Sequence, residues 1–320
     1  MRFPTRSGRR RWRSPLALTI GVAATVTVLT GPTSSASAPP IYTDSSKPVA
    51  VRVDDLVRRM TTEEKAGQLQ QIAVARLQGD CQWSGGELNQ QCMKEVLADQ
   101  HVGSILSGGG MTPAENTPEE WAKMVNTIQR YAIKHSRLGI PIVYGVDAVH
   151  GHNNVLGATM FQHQIGLGAT WNPKLVADVA RATQRATAAT GTVWNFSPVA
   201  DLARDHRWGR YYETYSEDPL LAGDLAASAV KGTEDGSSGR KVAATVKHFA
   251  GYSQPLNGHD RVPGDMSLRY LQDTILPAYK AAIDAGADTI MVNSGAINGV
   301  PAHASKYLLT DVLRKQWGFD

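Results

Sequence analysis

With 320 residues, 42% of them hydrophobic and 19% charged, the chain reads as a globular protein with ample core, one large domain or two small ones. The formal charge of +4 does not indicate a nucleic-acid partner, because residues 1–38 hold six arginines and no acidic residue. The remaining 27 basic and 29 acidic residues leave a net charge near −2.

Residues 1–38 have the three parts of a secretory signal. Arg2, Arg6, Arg9, Arg10, Arg11 and Arg13 form a basic head, Leu16 to Leu29 an apolar run, and Ala36-Ser37-Ala38 a small-residue cleavage pattern before Pro39-Pro40. The apolar run is 14 residues long, whereas a membrane span needs about 20. The expectation is a cleaved signal over 1–38 and a linker over 39–52, giving a secreted, extracellular or periplasmic protein with no membrane association after cleavage. A permanent N-terminal anchor is the alternative, and the arginine cluster leaves Sec and Tat export both open. Cys81 and Cys92, with ten residues between them in a Gln-, Gly- and Asn-rich stretch, read as one disulfide of an exported protein. Zinc would need further ligands, and no histidine lies nearby in sequence.

From Val53 onward, short apolar runs alternate with amphipathic stretches. Strands are predicted within Gln68–Val74, Val102–Leu106, Pro141–Val149, Val193–Asp201, Val242–His248 and Thr289–Ser294. They are largely apolar rather than alternating, as strands buried on both faces are. Helix starts are marked by capping boxes at Thr61/Glu64 and Thr117/Glu120, the second with Pro118, and by Asn172-Pro173 and Asp218-Pro219. Leu268, Leu271, Ile275 and Tyr279 share one stripe of a helix over Met266–Ala285, and a last helix runs over Lys306–Trp317. Such alternation means a parallel α/β fold, either a (β/α)8 barrel or an open doubly wound sheet. Ser107-Gly108-Gly109-Gly110 lacks the G-x-G-x-x-G spacing of the open sheet's nucleotide fingerprint. The expectation is therefore a TIM-type (β/α)8 barrel over 53–320, C-terminally truncated with about six strands present.

In a parallel barrel the active site lies at the C-terminal ends of the strands. There the sequence places Asp147 and His150 where the third strand runs out, then Asp201 and the run Arg204 to Arg210 where the fourth does. Lys247-His248 follow at the end of the fifth and Asn293-Ser294 at the end of the sixth. Acceptors and donors of this kind recognise vicinal hydroxyls. Trp171, Trp194 and Trp208 offer an apolar wall, although core packing is the commoner role for any one tryptophan.

The blocks GVDAVHGHNN (145–154), IGLGATWNP (165–173), RDHRWGRYYETYSEDP (204–219), VAATVKHFAGYS (242–253) and INGVPAHAS (297–305) resemble, in order and spacing, those of family 3 glycoside hydrolases. The resemblance implies a retaining hydrolase that releases terminal non-reducing β-D-glucosyl residues from glucosides or β-glucans. It implies Asp147, Arg210, Lys247, His248 and Arg261 as carbohydrate-binding residues, with no cofactor. Glu213, Glu217 and Asp218 are expected to be structural, through capping and pairing with arginines. A metal at His150, His152 and His163 has no ligand spacing behind it. Retaining hydrolysis needs two carboxyl groups; the family's nucleophilic aspartate is expected just beyond Asp320 and the acid/base later still, so no catalytic residue is assigned within 1–320. The N-acetylglucosaminidase subgroup carries its catalytic histidine in a KHFPGHG loop that here reads KHFAGYS (247–253), which disfavours that alternative; a non-catalytic carbohydrate-binding barrel is the other. Ser294 stands about where many members have tyrosine, and Gln162 where they have proline.

Overall fold

The computed structural model describes residues 39–320 except Ser84; the signal expected over 1–38 lies outside the described residues. The chain divides into two units, Met1–Leu56 and Val57–Asp320. In the first, a 3-10 turn at Ile41–Thr43 is held by Tyr42, whose N–H donates to Asp55 (3.1 Å) and whose carbonyl accepts from Arg52 Nε (3.0 Å). Helix α1 (Val49–Arg59) starts inside the stretch expected as a linker, because the Pro48 carbonyl takes the Arg52 N–H at 3.1 Å and opens the helical ladder.

The second unit is built on a six-stranded sheet, β1 (Gln71–Ala73), β2 (Ser104–Ser107), β3 (Val143–Val146), β4 (Trp194–Asn195), β5 (Ala243–Phe249) and β6 (Thr289–Val292), neighbours in that order and all parallel. Each strand falls on a predicted one, but β4 is far shorter than Val193–Asp201. After Asn195 the chain still bonds β5, with Thr245 N–H to Ser197 O and Lys247 N–H to Pro198 O, both 3.0 Å. Pro198 has no N–H to return, and only Val199 makes a bridge, opposite Lys247. A two-residue hairpin, β7 (Ala296–Ile297) with β8 (Val300–Pro301), turns on Asn298 (φ 51°) and Gly299 (φ 77°), the pair of positive φ values that an Asn-Gly turn supplies.

The helices are α2 (Thr62–Gln68), α3 (Gln90–Met93), α4 (Pro118–His135), α5 (Gln164–Gly168), α6 (Pro173–Ala189), α7 (Pro219–Thr233), α8 (Leu268–Tyr270) and α9 (Leu276–Asp284). Thr61 and Glu64 form the capping box of α2. Thr117, Asn172 and Asp218 cap α4, α6 and α7 ahead of a proline. At α4 the box is one-sided, because Glu120 pairs with Lys123 at 3.0 Å instead of reaching back. The predicted Met266–Ala285 helix is interrupted by a π-helical turn at Leu271–Ile275, just before Pro277, which has no N–H to continue the ladder. A π-helix, Tyr307–Gln316, stands for the last predicted helix.

Ala244 to Phe249 of β5 are all buried, as expected for a strand covered on both faces. One core cluster joins Val246 and Phe249 to Leu225 of α7, Ala278 and Tyr279 of α9, and Leu308. A second joins Ile105 and Tyr144 to Trp121 and Ile128 of α4. Helices α6 and α7 approach closely because Gly232 lacks a side chain: the Ala177 carbonyl fills the place of its Cβ.

Candidate functional site

Asp147 follows β3 directly, and its N–H donates to Ser107 O of β2 at 3.3 Å, so the sheet carries its backbone to the strand end. Its Oδ1 accepts from Lys247 Nζ at 3.0 Å. The Lys247 side chain is 3% exposed and that of Asp147 39%, so a buried ammonium meets a carboxylate that opens to solvent. Gly108 leaves room for this carboxylate: a Cβ there would sit 3.6 Å from Asp147 Oδ2.

His248, next on β5, is buried, and Asp201 holds it twice: Oδ2 accepts from the His248 backbone N–H at 3.0 Å and lies 2.8 Å from Nδ1. The Tyr279 hydroxyl of α9 is 2.7 Å from Asp201 Oδ1 and 2.9 Å from the His248 carbonyl. Burial lowers the His248 imidazole pKa; the Asp201 carboxylate opposes that shift without cancelling it.

Arg210 lies in the loop after β4, ahead of a 3-10 turn at Tyr211–Glu213 that brings Glu213 back under it. Arg210 Nε and its terminal nitrogen donate to the two Glu213 oxygens, both at 2.7 Å, a bidentate clamp. Burial works against the Arg210 charge, but Glu213 more than offsets it and holds the guanidinium above its ordinary value. Burial would raise the Glu213 carboxyl; Arg210, with help from Lys247 and His248, keeps it below the ordinary value. Tyr252 joins the two halves of the site, its ring 4.6 Å from the His248 ring and 5.6 Å from the Arg210 guanidinium. Its hydroxyl donates to Asp260 Oδ1 at 2.6 Å, as does Trp208 Nε1 at 3.1 Å.

The structure thus gathers Asp147, Arg210, Lys247 and His248 on one rim. Arg261 lies at the exposed edge, 72% exposed, with Nε 3.6 Å from the outer oxygen of Asp260, the carboxylate that Tyr252 and Trp208 also bond. Sequence reasoning misses Tyr252 and the tie from Asp201 to His248. The only sequence signal for Tyr252 is its place shortly after His248. Glu217 is exposed and without an ion pair among the described residues, whereas Glu213 clamps Arg210 and Asp218 caps α7. Of the tryptophans, Trp208 is buried beside the site, Trp171 is exposed, and Trp194 bonds Thr245 and Thr289 near the starting ends of the strands. Ser294 is exposed, while Asn293 beside it is buried and donates to Ala250 O at 2.9 Å. A cleft of about 760 Å3, lined by Arg204, Arg207, Gln254, Asp265, Ser267 and Tyr270 among others, opens between the loops after β4 and β5 but holds none of the four rim residues.

Cys81 and Cys92 are disulfide-bonded, with their Cα atoms 5.7 Å apart. His150 stacks on His163 at 3.9 Å, and His152 is buried 3.1 Å from Thr190 Oγ1. No group of three or more potential metal ligands occurs among the described residues.

A parallel α/β domain with donors and acceptors interleaved at the strand ends defines a barrel-type α/β class whose rim offers the groups that vicinal hydroxyls pair with. The chain belongs to glycoside hydrolase family 3: residues 61–320 match the glycosyl hydrolase family 3 N terminal domain. It is 37% identical to a lysosomal beta glucosidase of Dictyostelium discoideum over 84% of this chain and 34% of the relative. It is 33% identical to a periplasmic beta-glucosidase of Salmonella typhimurium, over 83% of this chain and 32% of that one. The solved exo-1,3/1,4-beta-glucanase of a Pseudoalteromonas species superposes with a TM-score of 0.74 at 34% identity, covering 86% of this chain and 34% of that chain. The chain therefore spans about a third of the length of these relatives.

Proposed function

We propose that the protein is a retaining β-glucosidase or exo-β-glucanase whose residues 53–320 contribute strands to a (β/α)8 barrel, and that Asp147, Arg210, Lys247 and His248 grip the terminal pyranose. Arg261 is a peripheral member of that set. The observation that carries the reading is the Lys247–Asp147 pair at 3.0 Å beside His248, with Arg210 across the Tyr252 ring. Lys247 and Arg210 donate, Asp147 accepts, and a pyranose offers hydroxyls that do both. The names of the family relatives favour glucosides, and the nucleophile and acid/base are assigned to sequence following Asp320. After His248 the loop reads Phe249-Ala250-Gly251-Tyr252-Ser253, with no second histidine to serve an N-acetylglucosaminidase. The signal over 1–38, together with a periplasmic relative, supports export to the periplasm or beyond. No helix among the described residues is long and apolar enough to cross a membrane.

The test is hydrolysis of nitrophenyl β-D-glucoside against nitrophenyl N-acetylglucosaminide by the full-length protein, with and without Asp147→Ala. The glucoside is expected to be preferred. The substitution is expected to cost about 3 kcal/mol, roughly 100-fold in kcat/KM, since it removes a charged acceptor and leaves Lys247 unpaired. Preference for the N-acetylglucosaminide, or an unchanged kcat/KM in the variant, would refute the reading.

A further inference from the structure

We infer that Asp201 fixes His248 as the Nδ1–H tautomer, so that Nε2 is a hydrogen-bond acceptor and the sugar hydroxyl facing it must donate. The ligand named here rests on the glycosidase reading; the tautomer does not.

Three donors converge on one buried carboxylate. Asp201 is 2% exposed. Its Oδ2 receives the His248 backbone N–H, an obligatory donor, and also faces His248 Nδ1 at 2.8 Å. Its Oδ1 faces the Tyr279 hydroxyl at 2.7 Å. An ionised carboxylate only accepts, so the proton between Asp201 and the imidazole belongs to Nδ1. In the neutral ring Nε2 then carries a lone pair, and it makes no hydrogen bond among the described residues. The ring plane is set by the paired bonds to Asp201 and by Tyr252 packing at 4.6 Å. Around the site the polarity therefore alternates: Arg210 donates, His248 accepts, Lys247 donates, Asp147 accepts. A hydroxyl lying between Lys247 and His248 accepts a hydrogen bond from the first and donates one to the second, so its hydrogen-bond direction is fixed. Asp201 touches no ligand in this scheme; it is a positioning residue acting through His248.

Two measurements on the full chain test this. In the long-range 1H–15N spectrum of the histidine rings, with His248 identified by its loss in His248→Gln, Nδ1 is expected to be protonated and Nε2 bare at about pH 7.5, above the ordinary histidine range. A protonated Nε2 overturns the inference. Calorimetric binding of glucose is then compared with its deoxy and deoxyfluoro analogues at each carbon. Fluorine accepts weakly and cannot donate, so at the hydroxyl facing His248 the fluoro analogue is expected to bind as poorly as the deoxy one. That position is recognised by losing its discrimination in His248→Ala. In Asp201→Ala nothing accepts from Nδ1–H, Nε2 can carry the proton, and the fluoro analogue is expected to exceed the deoxy one by about 5-fold, one neutral hydrogen bond. Equal weakening of every analogue in Asp201→Ala would show a merely structural role and sink the assignment. Tyr279→Phe keeps the carboxylate and is expected to keep the Nδ1–H signature. If Asp201→Ala does not fold, the wild-type spectrum decides. If no sugar binds, the glycosidase reading falls and the spectrum still decides the tautomer.

Discussion

Glu213 shows how one residue serves the site without reaching a ligand. It is buried, its two oxygens are taken by Arg210, and its carboxyl pKa lies below the ordinary value of 4.5. Glu213→Gln should destabilise the protein by about 3 kcal/mol near neutral pH, because it leaves a largely buried guanidinium unpaired. The sign with pH follows from the lowered value: the pairing counts in full above 4.5 and is lost as pH falls through the folded-state value. The gap between wild type and variant in urea unfolding should therefore narrow below pH 4.5, and a gap independent of pH would show that the pair contributes no charge term. The strand-end placement of Asp147, Arg210, Lys247 and His248 is legible in the sequence because each sits in a block with a recognisable order along the chain; Arg261 lies in none of those blocks. Asp201's tie to His248 and the role of Tyr252 are not. Asp201 matters through a contact 47 residues away in sequence, and Tyr252 through rings that only the folded loops bring together. Long-range packing of that kind leaves no local pattern.

Among helices and strands, short-range chemistry is readable and strand ends are not. Each predicted strand contains or overlaps an observed one, since apolar runs of this length become strands when helices cover both faces. The Val193–Asp201 run looks longer than β4 because its residues after Asn195 remain buried, while past Phe196 they bond β5 and no longer β3. The caps at Thr61, Thr117, Asn172 and Asp218 stand where the Ser/Thr/Asn/Asp signals put them, and they make a graded prediction. Thr117→Ala should cost about 1 kcal/mol, the value of one capping bond. Glu64→Ala, on the other side of the α2 box, should cost more, because Glu64 is shared between the Thr61 N–H (2.9 Å) and Arg137 (2.6 and 2.9 Å). Denaturation midpoints of the two variants check the order. Gly232→Val tests the helix crossing: the new Cβ would enter the space of the Ala177 carbonyl, a backbone atom that cannot rotate away. It should exceed either cap substitution in cost, and a neutral outcome would mean that α6 and α7 can slide apart freely.

Across the molecule, the two core clusters share one vulnerability to acid. His152 is buried between α4 and α6: its ring stands edge-on to Trp121 at 5.4 Å, and its Nε2 is 3.1 Å from Thr190 at the end of α6. Trp121 belongs to one cluster and Val176 of α6 to the other. The His152 Nδ1 is buried with no hydrogen-bond partner among the described residues, and burial drops the imidazole pKa from 6.5 to about 4. Burial lowers His163 and His248 too. A lowered histidine holds the native state at its most stable above 6.5, where neither state is protonated. Below that the unfolded chain takes up protons that the folded one refuses, so stability falls until about pH 4, where folded His152 also charges. For His152 alone the loss is about 3 kcal/mol. Since His152 touches Trp121 of one cluster and Thr190 at the end of α6, which carries Val176 of the other, the loss should register as cooperative unfolding rather than local fraying. His152→Gln should lower the melting temperature near neutral pH yet flatten its decline between pH 6.5 and about 4. A decline as steep as that of wild type would shift the acid sensitivity to His163, His248 or the paired carboxylates.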